Sequence, residues 1–355
     1  MRIVMLCVPV FVLAACAGSR VPAMRGTTQP IAHFGSNPEF SEALKQVEAP
    51  NEAQRLLANG DKLFAAREYE QALDVYKQAA TAAKAESNNQ VLVEALSQVA
   101  RMYSIATEFE EGRVWLTKAE AYADPDEPLG WSRFLGVQGR LFWQDEKDNE
   151  KAKATFIEMY EYCGEQNLYS RQLDAAHMVA LVAPPEEQVQ WALNAIQAAE
   201  KAGEKGWLAV LWNNLGWTYE EQGNYEKMLD ALINARKFHH EVGNDHSKLV
   251  ADFGVGRAYW RNGQLAEARE WLEAAFATAK QRHAEDPEDL EKGEWVGWGN
   301  IYLADILFDE GNPEEALKLF REGRPYIIKA GIENWWPEEL KRLDDKYAKL
   351  EATDE

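Results

Sequence analysis

Trp212-Asn213-Asn214-Leu215-Gly216-Trp217-Thr218-Tyr219, followed by Gly223-Asn224-Tyr225 and then by Leu232 and Ala235, decides the fold of this chain. Apolar residues fall at helical spacing on both sides of the Gly-Asn pair, and past residue 40 no alternating strand pattern appears. Gly216 has no side chain, so a second helix can come close. Leu215 and Tyr219 can fill the seam between the two, and Gly223-Asn224 can turn the chain back. The stretch predicts a pair of packed helices.

The pattern recurs. Gly256, Tyr259, Gly263, Leu265, Ala268, Leu272 and Ala275 repeat it, as do Gly60, Leu63, Tyr69, Ala72, Tyr76 and Ala79. Ala100, Tyr103, Phe109, Gly112, Leu116 and Ala119 make a further copy, and Leu307, Gly311, Ala316 and Phe320 another. Gly139, Phe142, Ala152 and Phe156 form a degenerate copy; the weakest, Leu173 to Ala198, has Pro184-Pro185 in place of the Gly turn. The residue opening each second helix falls at 72, 112, 152, about 189, 228, 268 and 316, in steps of 40, 40, 37, 39, 40 and 48. The long step holds the charged stretch His283 to Lys292, which reads as an extended helix end or a loop. Pro337 to Leu350 is amphipathic and charged, as expected of the polar cap that closes a repeat array.

Trp212 to Tyr219 resembles the first helix of the tetratricopeptide repeat, written W-x2-L-G-x2-Y. The chain departs from that pattern at Met228, where the family usually has Ala, and it lacks the trailing Pro. Its step exceeds the standard repeat of about 34 residues, so the longer-helix variants are the better comparison. The resemblance spans residues 45–350. It implies an all-α, tetratricopeptide-like helical-repeat superhelix, a solenoid of about seven helix pairs plus a C-terminal capping helix. Such motifs specify fold and leave function open.

The first residues read as an address. Arg2 precedes an apolar run from Ile3 to Leu13 that is too short to span a bilayer. The run ends in Leu13-Ala14-Ala15-Cys16, which resembles the lipobox of bacterial lipoprotein precursors; an ordinary secretory signal is the alternative. The resemblance implies a signal peptide over 1–15, cleavage before Cys16, and acyl lipid (palmitate among it) on that residue. Residues 16–44 then form a flexible tether rich in Gly, Ser, Thr and Pro. Ala17 and Gly18 follow Cys16 where the family's inner-membrane retention signal has Asp, which implies a periplasm-facing lipoprotein of the Gram-negative outer membrane.

The charge balance excludes other classes. Thirty-eight Lys and Arg against 59 Asp and Glu give −21, and no local basic patch offsets it, so neither nucleic acid nor an anionic lipid surface is an expected partner. No nucleotide loop, hydrolase elbow or zinc-protease motif occurs, and Gly254-Val255-Gly256 reads as helix packing, not a phosphate cradle. An enzyme is therefore not expected, and neither is a cofactor beyond the lipid on Cys16. His239, His240 and His246, with Glu241, Asp245 and Asp252 nearby, are the best metal candidate. Adjacent histidines on a helix point about 100° apart, however, so no metal site is expected. The acidic loop Asp124 to Pro128 lacks the ligand ladder of a calcium loop and reads as a solvated turn. Cys163 has no histidine in local context and reads as a buried structural thiol.

Thirteen tryptophans are more than a core of this kind requires. Trp212 and Trp271 fall at seam positions and are expected inside. In the resembled family the concave face takes the second, fifth, ninth and twelfth positions of each first helix, one helical face. In the last three copies these slots hold Val210, Asn213, Trp217 and Glu220; Val250, Phe253, Arg257 and Trp260; and Trp298, Ile301, Asp305 and Phe308. Rings mixed with Asn, Arg, Asp and Glu are what interaction surfaces use. The expectation is a scaffold that binds a protein or peptide segment in this groove, helping assemble an envelope complex, with the acids favouring a basic partner. The alternative is a lipoprotein that recognises peptidoglycan fragments or other glycans.

Overall fold

The computed structural model describes residues 51–351, so the signal segment, Cys16 and the whole tether lie outside the described residues. The described residues form sixteen helices. The pairs are α1 (Glu52–Ala65) with α2 (Tyr69–Ala85), α3 (Asn89–Ile105) with α4 (Phe109–Glu120), α5 (Pro128–Gln144) with α6 (Asn149–Glu165), and α7 (Tyr169–Val182) with α8 (Pro185–Ala202). There follow α9 (Lys205–Glu221) with α10 (Tyr225–Val242), α11 (Asp245–Arg261) with α12 (Leu265–Glu285), and α13 (Leu290–Asp309) with α14 (Pro313–Lys329). A short α15 (Ile332–Trp335) and α16 (Pro337–Glu351) close the array. This is the all-α helical repeat of seven pairs and a capping helix that the sequence period predicts.

Local chemistry sets the helix ends. Asn51, Asn88, Asp148, Asn224 and Asn244 each accept a backbone N–H of the first turn, and Asn51 forms a reciprocal capping box with Gln54. Pro128, Pro185 and Pro313 open their helices, where a missing N–H costs nothing. The long repeat step has a plain cause: α12 and α13 run 21 and 20 residues and leave only residues 286–289 between them.

The seam glycines do what their spacing predicts. A Cβ on Gly60 would stand 2.6 Å from the Tyr76 ring, and one on Gly139 2.5 Å from Phe156; at Gly216 and Gly256 it would meet Leu232 and Leu272 at 2.7 Å. Each small residue on a first helix thus receives a large one from the second. Gly254 does not belong to this set. It has open space beside it, so only Gly256 of the Gly-Val-Gly stretch is a packing glycine. Trp212 and Trp271 are half-buried and not core as expected; the Arg236 guanidinium lies 4.7 Å from the Trp271 ring.

The helices divide into two compact units, one ending at Leu215 and the other beginning at Gly216, with the boundary inside α9. The core of the first unit gathers Tyr76, Val99, Leu116, Phe134 and Met159. That of the second gathers Phe253, Leu272, Trp295, Trp298, Phe320 and Tyr347. Trp335, Trp336 and Trp260 lean on the second core, so five of the thirteen tryptophans belong to it or pack against it.

Candidate functional site

In the second unit, α9 from Gly216, α11 and α13 supply the first-helix slots. Four of the residues singled out in the sequence, Trp217, Glu220, Arg257 and Trp260, come together there half-buried, the Arg257 and Glu220 side chains mostly covered. Arg257 lays its guanidinium 4.6 Å from the Trp217 ring centroid and donates to Glu220 Oε2 at 2.5 Å. Burial opposes the charge on Arg257, and the Glu220 carboxylate outweighs it and holds the guanidinium above its ordinary pKa. Arg261, one turn on, shares Glu220 through Nε at 3.1 Å and donates to the Tyr225 hydroxyl at 2.7 Å. Its guanidinium stacks 4.6 Å from the Tyr225 ring and 5.8 Å from that of Trp260. Trp260 Nε1 donates to Asp309 Oδ2 at 2.7 Å. Phe308 is half-buried beside Lys346 of α16, which lies 4.3 Å from its ring.

The other slots go elsewhere. Phe253 is buried and stacks on Trp295, the centroids 5.2 Å apart. Trp298 is buried with its Nε1 donating to Glu294 at 3.2 Å, and it packs against Tyr302, Trp335 and Trp336. Asp305 is fully buried; it accepts from Tyr347 Oη at 2.9 Å, Lys346 Nζ at 2.5 Å and Arg342 at 3.3 Å. These three are covered because α15, α16 and Trp295 lie over them. Asn213 is half-buried and belongs to the first unit. The Arg257 guanidinium already has a carboxylate partner within the chain, Glu220. Spacing did not single out Tyr225, Arg261 or Asp309, which lie just beyond the counted slots.

The first unit carries a charged ladder on the same slots. Asp61 on α1 accepts two bonds from Arg133 on α5, at 2.9 and 3.0 Å, one from Tyr76 at 2.7 Å and one from Gln98 at 3.1 Å. Burial alone would raise the Asp61 pKa, and Arg133 brings it below its ordinary value. Glu94 on α3 accepts from Arg133 at 3.1 Å and from Arg171 on α7. Arg140 grips Asp174 with bonds of 2.8 and 3.0 Å. Counting the family slots back from Gly60, Ala100 and Gly139 gives Asp61, Glu94, Arg133 and Arg140, so the signal was present in the sequence. These side chains satisfy one another across helices and present few open groups.

The histidines are spoken for separately. His239 is buried, and burial pushes its pKa down to about 4. His240 Nε2 lies 2.8 Å from Asp252, and His246 Nδ1 lies 2.7 Å from Glu291. Among the described residues no three His, Cys, Asp or Glu side chains converge as metal ligands. The Asp124 carboxylate accepts the Asp126 N–H at 2.9 Å, and Pro125 O accepts from Tyr162, so that loop is a capped turn. Cys163 is buried, and burial pushes its thiol up to about 12.

Several known structures share the helical arrangement in part. BtubC (BKLC) from P. vanneervenii is similar at 14% identity over 67% of this chain and 94% of that one, with a TM-score of 0.49. A Rap protein complexed with competence and sporulation factor is similar at 16% identity over 88% and 92%, TM-score 0.46. The quorum sensor NprR from B. thuringiensis is similar at 13% over 82% and 92%, TM-score 0.43. No curated protein matches the chain in sequence. Residues 207–281, the stretch that carries Trp212 to Tyr219 and the Trp217–Arg257 stack, match the tetratricopeptide repeat family model.

Proposed function

We propose that this chain is a protein-interaction scaffold, held to the periplasmic face of the outer membrane by lipid on Cys16, which binds a protein or peptide segment on the first-helix face of its second unit. One observation carries the binding site. Trp217, Arg257, Arg261, Tyr225 and Trp260 interleave on successive helices, half-buried, where a structural helix could carry Ala or Lys. Rigid rings stacked with guanidinium groups give large contact area at little ordering cost, the usual composition of interaction hot spots. The ion pairs to Glu220 and the ring stacking pre-organise these side chains, so a partner does not have to order them. The anchor rests on the Ala14-Ala15-Cys16 sequence.

The test is site-specific photocrosslinking in cell envelopes, with the probe at Trp260 and, as control, at Ile233, an exposed residue of α10. Protein adducts at position 260 and not at 233 are expected. Muropeptide or glycan adducts at 260 would favour the sugar-binding alternative, and equal labelling at both positions would overturn the site.

A further inference from the structure

The last repeat already holds a cation, and the way it does so shows what such slots accept. Asp305 and Phe308 stand one turn apart on α13. From α16, Lys346 places Nζ 2.5 Å from Asp305 Oδ1 and 4.3 Å from the centre of the Phe308 ring, while Arg342, four residues earlier, reaches Asp305 Oδ2 at 3.3 Å. Carboxylate and ring face act on the same charge. The occupant is a helix presenting Arg and Lys at i and i+4.

A second pair of this composition lies on the same unit. The indole N–H of Trp260 donates to Asp309 at 2.7 Å, which fixes ring and carboxylate beside each other. Asp309 is exposed and Trp260 half-exposed, and no Lys or Arg nitrogen among the described residues pairs with Asp309. The neighbouring cations do not fill the slot. Arg257 and Arg261 share Glu220, and Arg261 stacks closer to Tyr225 than to Trp260.

We propose that Trp260 and Asp309 form a docking slot for a lysine or arginine side chain of a helical partner segment, as Asp305 and Phe308 do for Lys346. This rests on the reading that the face binds a protein segment, and it adds the chemistry of that segment. A chain of net charge −21 also favours the approach of a basic partner.

Two fluorescently labelled helical peptides test it, identical except that one carries Lys at two positions four apart where the other carries Gln. Affinities are read by anisotropy at physiological salt, where diffuse attraction is screened beyond about 8 Å. The Lys peptide is expected to bind about tenfold tighter, the combined worth of a cation–π contact and an exposed ion pair. Asp309→Asn should erase the preference at unchanged melting temperature. Trp260→Ala should erase it too, with some loss of melting temperature because the ring packs against the core; Glu314→Gln, an exposed acid on α14, should keep it. A preference that survives Asp309→Asn, or that Glu314→Gln removes as well, overturns the slot. Equal binding of both peptides that Trp260→Ala weakens overturns the slot and leaves the protein-binding face standing. No binding by either peptide overturns the slot too, and the crosslinking result then decides the face by itself.

Discussion

Thr107 sits at φ 62 in the turn between α3 and α4, the place where Gly223, Gly263 and Gly311 serve later turns at φ 71, 78 and 83. Arg67 and Lys147 share that conformation in the other early turns. A β-branched residue there carries a steric cost of about 1–2 kcal/mol, against about 0.5–1 kcal/mol of entropy that glycine loses on folding. Thr107→Gly is therefore expected to stabilise the chain by about 0.5–1 kcal/mol, read as a higher urea midpoint at unchanged slope; a lower midpoint would refute the strain. Buried histidines set the acid limit. Burial holds His177 and His239 down at about 4, whereas the unfolded chain takes up protons near 6.5. Each contributes stability that is present above pH 6.5 and lost as pH falls toward 4. Glu294 acts in the opposite sense: burial pushes it up to about 7, so its contribution is lost as pH rises through 7. Melting temperatures should fall from pH 6.5 to 4, and His239→Gln should shrink that fall. Glu294→Gln should help at pH 8 and not at pH 5.

Among the elements, the helix pair is the unit that the sequence specifies best, because each seam joins a small residue to a large one at fixed spacing. Leu232 leaves no room for a side chain at position 216, so Gly216→Leu is expected to cost about 1–3 kcal/mol by overpacking. Melting at the wild-type temperature would show that the seam lies elsewhere. The slots were legible in a weaker sense. Helical spacing says which residues share a face, and it singled out Trp217, Arg257 and Trp260, of which Arg257 stacks on Trp217. It cannot say how far a side chain from another element reaches. Asp305, Phe253 and Trp298 occupy the same kind of slot and are buried by Trp295 and by the closing helices, whose approach depends on Gly331 and the turn into Pro337. Arg133 on α5 crosses to Asp61 on α1, a partnership between two repeats that no single-helix count displays. The slots thus name the charged residues, and which of them pair follows only from helices set side by side.

At the scale of the whole molecule, the proposed membrane attachment rests on the Ala14-Ala15-Cys16 sequence. No helix among the described residues is long and apolar enough to cross a bilayer. The net charge of −21 repels anionic headgroups, and the guanidinium groups of Arg133, Arg140 and Arg257 are engaged with carboxylates. The anchor we propose is a thioether-linked lipid on Cys16. A single acyl chain gives only marginal, reversible binding, and several on one residue give firm attachment. Cleavage before Cys16 would remove Arg2 and no acid, making the processed chain one charge more negative and adding nothing that favours the surface. Cys16→Ser should accordingly leave an unprocessed precursor or release the chain from sedimented outer membranes, while the melting of the repeat array stays the same. Membrane partitioning unchanged by Cys16→Ser would refute the lipid anchor and leave the helical scaffold and its candidate binding face untouched.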